Sequence, residues 1–475
     1  MKNPLTYCNP IPLPDYPRGR SCVNKKPGAW GFRHPQARDF RETADPSVIF
    51  HDNKWYLYSS CGMAYVSEDF VTWQHHRIEP YDCGYAPTVV KHRGKFLLTA
   101  CGAPIYESSS PLGPFTELGK VRLPSGEVLK SFNDPMLFAD DDGRLYAYWG
   151  LGEPGIFAAE LSPDDPTQLI TEPIKVFRYD PAHVWERYGA WNEDAGKSFV
   201  EGAWMLKIGD TYFLTYAGPG TEWRTYGMGV YTSKSPLGPF VYQQRNPILQ
   251  KQHGIIQGPG HGCIVRGPND TLWAFYTCTV CYEHIFERRI GFDPAGLDEN
   301  GNLFVRDASE IPQLAPGFKP DPHLGNDAGW LPLSLHKTIR ASSQSAGRDP
   351  IYANDGCMHT FWQPAANDPA PSLTINLNGD FQIHAFRILW RDIGLDYDNG
   401  VLPGPFKFAI SVSHDGAAWQ RVVDATENTV DLLIDYRAIE PVPGSFIKLE
   451  ILSAPCGITP AVIDFTAFGV WVPKK

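Results

Sequence analysis

The chain has no run approaching the ~20 consecutive apolar residues of a membrane-spanning helix. Positive charge is also in short supply: 42 Lys and Arg stand against 53 Asp and Glu, a formal net charge of −11. That balance argues against nucleic acid or an anionic membrane as partner and fits a protein acting on an uncharged ligand. Helical periodicity is sparse. The ten cysteines are scattered without a tight disulfide framework, so buried free thiols and a reducing compartment are expected. Cys278 and Cys281 are too few for a metal clip without a second pair. Met1 to Pro10 holds no apolar core of a leader peptide, which points to a cytoplasmic protein, or to a secreted one if a leader has been removed.

What the chain has in abundance is aromatic residues, 14 Trp, 22 Tyr and 26 Phe, and a local pattern that recurs. Ala44-Asp45-Pro46-Ser47 opens an apolar run followed by Lys54-Trp55-Tyr56-Leu57-Tyr58. Tyr85-Ala86-Pro87, Asn133-Asp134-Pro135, Val200-Glu201-Gly202 and Gly260-His261-Gly262 open four more such units. Each is a short polar entry, an apolar strand, a turn and an aromatic-rich alternating strand. The string Ser-Pro-Leu-Gly-Pro-Phe occurs at Ser110–Phe115 and again at Ser235–Phe240, late in the second and fourth units. Regular strands in repeated units mean an all-β array, and five similar sheets placed radially make a five-bladed β-propeller. In a propeller the innermost strands start near the axis. Asp45, Ala86, Asp134, Glu201 and His261 should therefore converge.

Three carboxylates meeting at one end of a channel suit glycosidic cleavage, which needs one protonated and one ionised carboxyl flanking the bond. Glu201 leads into an apolar run, and desolvation raises a carboxyl pKa. Loops that rim the same face carry Trp149, Trp223 and the segment from Cys281 to Arg289. The long insertion from Tyr179 to Lys197 carries Trp185, Tyr188 and Trp191, a candidate wall or lid over a sugar.

The motifs Ala-Asp45-Pro, Asn-Asp134-Pro and Val-Glu201-Gly resemble the three acidic motifs of glycoside hydrolase family 43, whose members are five-bladed propellers. The resemblance implies Asp45 as general base, Glu201 as general acid and Asp134 as the residue that raises and orients Glu201. It further implies substrate contacts from His261 and from Arg289, with Arg288 beside it leaving the register open. No cofactor is required, although the resemblance allows a structural calcium in the channel, reached by His261 through water. The expected partner is an oligosaccharide or polysaccharide, with no nucleic acid and no membrane. An exo-acting inverting hydrolase of α-L-arabinofuranosides or β-xylosides is implied. A β-galactofuranosidase or galactan-acting enzyme, and a non-catalytic sugar-binding propeller, remain the alternatives.

Composition then divides the chain. Residues 1–37 read as a Pro- and Gly-rich arm, 38–311 as the propeller and 312–337 as a linker. Residues 338–475 read as a β-sandwich of jelly-roll type. There Ala353-Asn354-Asp355-Gly356, Thr360-Phe361-Trp362 and Ser413-His414-Asp415-Gly416 resemble a discoidin-like (coagulation factor type C) domain. Such a module either binds sugar or supports the propeller, and the triad is expected to stay intact without it.

Overall fold

The structure is a computed structural model and describes residues 5–20, 26–27, 38–78, 84–280, 282–316 and 325–472. The described part of the arm starts the chain against the propeller's end, because strand Thr6–Tyr7 pairs with Gln313–Leu314. The rest of the expected arm, the centre of the expected linker and Cys281 lie outside the described residues. No helix among the described residues is long and apolar enough to cross a membrane.

Five antiparallel sheets follow, each built from consecutive strands. Their innermost strands are Ser47–His51, Thr88–His92, Met136–Ala139, Glu201–Ile208 and Gly260–Arg266. Alternation places apolar side chains of neighbouring blades face to face. Tyr56, Tyr58, Val89, Phe96 and Leu98 fill the space between blades one and two. Tyr146, Tyr148, Met205, Leu214 and Tyr216 do the same between blades three and four. The repeated Ser-Pro-Leu-Gly-Pro-Phe string has one structural use. The Tyr58 hydroxyl donates to the Pro111 carbonyl at 2.6 Å, and the Tyr148 hydroxyl donates to the Pro236 carbonyl at 2.6 Å. In both cases a blade's second strand is stapled to the next blade's outer turn.

All five entries share one backbone feature. Asp45, Ala86, Asp134 and His261 have φ of 53°, 49°, 45° and 35°, and Gly202, next to Glu201, has 63°. Non-glycine residues rarely occupy this left-handed region, and where they do the surrounding structure must hold them. In blades one to three the left-handed residue precedes a proline that leads directly into the strand. In blades four and five it sits in a register shift, between Glu201 and Trp204 and between Gly260 and Gly262. Such bulges re-aim a side chain, and here they turn Glu201 and His261 toward the axis.

The C-terminal region is one continuous hydrogen-bonded sheet folded over into a β-sandwich. Its strand Ser372–Ile393 is central and breaks register at Asn376/Phe381 and Ile383/Ala385, which lets one long strand turn the corner. The sandwich does not stand apart from the propeller. A single apolar cluster joins Trp55, Trp273 and Phe292 of the propeller, Ile11 and Leu13 of the arm, and Trp362, Trp390 and Phe465 of the sandwich.

Candidate active site

The five blade entries open onto a cavity of about 500 Å³ that Asp45, Asp134, Glu201 and His261 line together. Sequence position alone separates Asp45 from Glu201 by three blades, and the propeller brings them to one wall-to-wall space.

Asp45 is the most heavily bonded of the three. Its carboxylate takes a two-pronged contact from Arg288, Nη1 to Oδ1 at 2.9 Å and Nη2 to Oδ2 at 3.2 Å. Ser60 Oγ donates to Oδ2 at 2.5 Å, and the Asp45 amide donates to Thr277 Oγ1 at 2.8 Å. His261 Nδ1 lies 3.5 Å from Asp45 Oδ1 and 4.0 Å from Asp134 Oδ2. Burial pushes the Asp45 carboxyl up, but Arg288, His261 and Ser60 together outweigh it and hold it below the usual carboxylate range.

Glu201 is the opposite case. Burial is the largest influence and the nearby Asp134 charge adds to it, so its carboxyl sits well above the usual range. The Tyr226 hydroxyl donates to Glu201 Oε1 at 2.5 Å, which opposes the rise without cancelling it. Asp134 is itself raised, by burial first and Asp45 in the same direction, with His261 pulling it down. In one cavity, then, one carboxyl is pushed below the usual range and another above it. Gly202 leaves room for the His261 ring beside Glu201. A Cβ there would come within 2.8 Å of the His261 ring, and its φ of 63° already disfavours any side chain.

Of the two neighbouring arginines, Arg288 and not Arg289 lines the pocket, where Arg20 is a second arginine. Adjacent residues of a strand face opposite ways, and the strand Arg288–Leu297 turns Arg288 inward. Arg289 points away, donating to the carbonyls of Arg41 at 3.0 Å and Arg288 at 2.8 Å, with its guanidinium over Tyr16. Arg288 also binds Glu42 Oε1 through Nη2 at 2.6 Å, and Tyr85 donates to Glu42 Oε2 at 2.9 Å. Glu42 is a fourth buried carboxyl, and Arg288 bridges it to Asp45. It sits three residues before Asp45 and carries no motif of its own. Only the inward-facing arginine points to it.

None of the three tryptophans expected around a sugar lines the catalytic cavity. Trp149 is buried between Phe132 and Phe157 in the core of blades two and three. Trp191 is 65% exposed, with the Arg224 guanidinium 3.6 Å over its ring. Trp223 packs edge-on against Tyr188 and lines a neighbouring cleft. The aromatic wall is instead made of Tyr85, Phe199 and Phe286, none of which the sequence pattern distinguishes from core. Within the insertion, Trp185 joins the core and donates to the Tyr242 hydroxyl at 3.0 Å. Tyr188 backs the pocket by bonding Glu222, a lining residue.

Cys101 also lines the cavity, but burial and then Asp134 push its thiol up to about 12, which disfavours the nucleophilic thiolate. Calcium takes six to eight oxygen ligands. Among the described residues no group of three or more His, Cys, Asp and Glu side chains is spaced to hold a metal.

The family model for glycosyl hydrolases family 43 matches residues 41–301, more than half of the chain. The chain belongs to this family. The F5/8 type C domain model matches residues 338–461, the sandwich of this family-43 protein. A β-xylosidase of Xylanibacter ruminicola is 25% identical over 256 residues, covering 45% of this chain and 73% of the relative. A β-D-galactofuranosidase of Aspergillus niger is 27% identical over 179 residues, 38% of this chain and 46% of the relative. A xylosidase/arabinosidase of Humicola insolens is 30% identical over 217 residues, 37% of this chain and 62% of the relative. None of these matches extends over a relative's whole length. A solved glycoside hydrolase shares the fold with a TM-score of 0.50 at 19% identity, over 90% of this chain and 97% of that one.

Proposed function

We propose that this family-43 hydrolase removes terminal pentose units, α-L-arabinofuranosyl or β-xylosyl, from oligo- or polysaccharides with inversion at the anomeric carbon. The observation that carries the reading is the electrostatic division of one cavity. Burial and Asp134 raise the Glu201 carboxyl well above the usual range, and Arg288 and His261 hold Asp45 below it. In this reading Glu201 protonates the departing oxygen while Asp45 takes a proton from the attacking water. An inverting enzyme leaves room for that water by spacing the two carboxyls roughly 6.5–9.5 Å apart. Asp134 acts on Glu201 through charge, and Arg288 keeps Asp45 ionised, and so able to accept a proton, down to low pH. A cavity of about 500 Å³ at the end of the channel suits a chain end. The pentose preference leans on the names of the xylosidase and xylosidase/arabinosidase relatives.

A panel of aryl α-L-arabinofuranoside, β-xyloside and β-galactofuranoside tests the reading, with proton NMR of the first-formed sugar. Release from either pentoside with inverted configuration is expected. Release from the galactofuranoside alone would transfer the assignment to the chemistry named for the Aspergillus niger relative. Retention of configuration would make Asp45 a nucleophile, and no release at all would favour a sugar-binding propeller.

A further inference from the structure

Beside the catalytic cavity lies a second one, of about 480 Å³, that the propeller does not build alone. Glu222, Trp223, Arg224 and Gln257 come from the loops of blade four and the entry to blade five, while Gly356 and His359 come from the C-terminal sandwich. Its volume falls in the range of ligand sites, roughly 300–1,000 Å³. Glu222 lines both cavities, so the two are neighbours across one side chain. That side chain is fixed from behind by the Tyr188 hydroxyl.

The geometry points to this interdomain cleft as the site for the sugar units on the leaving-group side of the scissile bond. The assignment rests on the hydrolase reading above and adds that the sandwich supplies part of substrate recognition. Chemistry and location agree. A neutral glycan presents hydroxyls and flat apolar faces, and the cleft offers both kinds of partner. Trp223 provides a ring face. Gln257, His359 and Glu222 provide hydrogen-bonding groups, with Gln257 Oε1 and His359 Nε2 3.3 Å apart across the domain boundary. Arg224 is held over Trp191 and reaches back to the Ala190 carbonyl at 3.3 Å, which fixes the cleft's outer edge. A chain whose terminal sugar occupies the catalytic cavity has to leave past one of its rims. The rim at Glu222 opens into a space already furnished for more of the same polymer.

The test uses the full chain, with His359→Ala and Gln257→Ala as independent variants from the two domains. Kinetics are measured on an aryl pentoside, which has no sugar units to place in the cleft, and on arabinose-branched xylotetraose. For each variant the ratio of kcat/KM on the oligosaccharide to that on the aryl pentoside should fall at least fivefold, mainly through KM. An unchanged ratio in both variants overturns the assignment. Calorimetric titration of the same oligosaccharide separates this failure from failure of the hydrolase reading. Loss of binding in His359→Ala supports the cleft even if no substrate is turned over. Equal binding by the native chain and both variants overturns it whatever the kinetics show.

Discussion

At the residue scale, the three carboxyls are distinguishable because their surroundings differ. Removing the acid in Glu201→Ala should cost most when the leaving group is a sugar alkoxide and much less when it departs as a stable phenolate. Asp45→Ala should lower both rates alike, because water must be activated whatever leaves. Comparing one activated and one natural-type glycoside checks this, and equal losses for Glu201→Ala would contradict its role. Arg288 yields a sharper expectation. It pulls down the carboxyls of both Asp45 and Glu201. The rate falls on the acid side as Asp45 takes up a proton and on the alkaline side as Glu201 loses one. Arg288→Gln should therefore move both limbs of the kcat/KM profile to higher pH. The single variant leaves Glu42 buried without its cationic partner, a change of about 3–5 kcal/mol, so the Glu42→Gln/Arg288→Gln pair keeps the measurement interpretable. Arg289→Gln should leave both limbs in place. The sequence shows Asp45, Asp134 and Glu201 because the repeat aligns them. It cannot choose between Arg288 and Arg289, because both stand at the start of the same strand and only its register decides which one faces inward.

At the element scale, the repeat was legible because blade entries, apolar strands and turns recur at regular intervals. The tryptophans were not, since an aromatic ring serves a core as well as a sugar and only packing separates the uses. Trp149 lies in a core, while Phe286 lines the cavity. The join between arm and blade five was equally hidden. Asp293, in the strand Arg288–Leu297, accepts from Tyr276 at 2.5 Å, from the Ser309 amide at 3.0 Å and from Asn9 Nδ2 at 3.1 Å. Burial is the largest influence on it and lifts its carboxyl from 3.8 to about 7. A raised folded-state value means the native state holds the proton more tightly than the unfolded chain. The contribution to stability is thus complete below about 4 and is lost as pH rises through about 7. The gap in Tm between the native chain and Asp293→Asn should accordingly be wider at pH 5 than at pH 8. A gap independent of pH would mean that Asp293 stays ionised in its site.

At the scale of the whole molecule, the Pro-rich stretch from Pro312 to Pro322 suggests a tethered module, whereas the packing shows two shapes sharing one interior. Arg41, four residues before Asp45, is buried against Asp392 at 2.9 Å and against Asp431, both in the sandwich. Arg387 of the sandwich pairs with Asp464 and donates to the Asn9 and Glu310 carbonyls at 3.0 and 2.8 Å. Arg391 binds Glu283 and lies 4.1 Å over the Tyr282 ring, while the Tyr282 hydroxyl donates to the Thr360 carbonyl at 3.2 Å. These last contacts clamp the segment that carries Phe286 and Arg288 into the pocket. Ending the chain before residue 338 would strip Arg41 of both carboxylates and expose the shared apolar cluster. Breaking a buried pair on one side costs about 3–5 kcal/mol, a large part of a typical domain's stability of about 5–15 kcal/mol. The truncated chain should either aggregate or fold with activity on an aryl pentoside at least tenfold down. Arg391→Ala in the full chain isolates the clamp from the core. It should remain folded by circular dichroism and lose several-fold in kcat/KM as the Phe286 wall loosens. A monodisperse truncation with undiminished activity, together with a silent Arg391→Ala, would show that the propeller shapes its pocket without the sandwich.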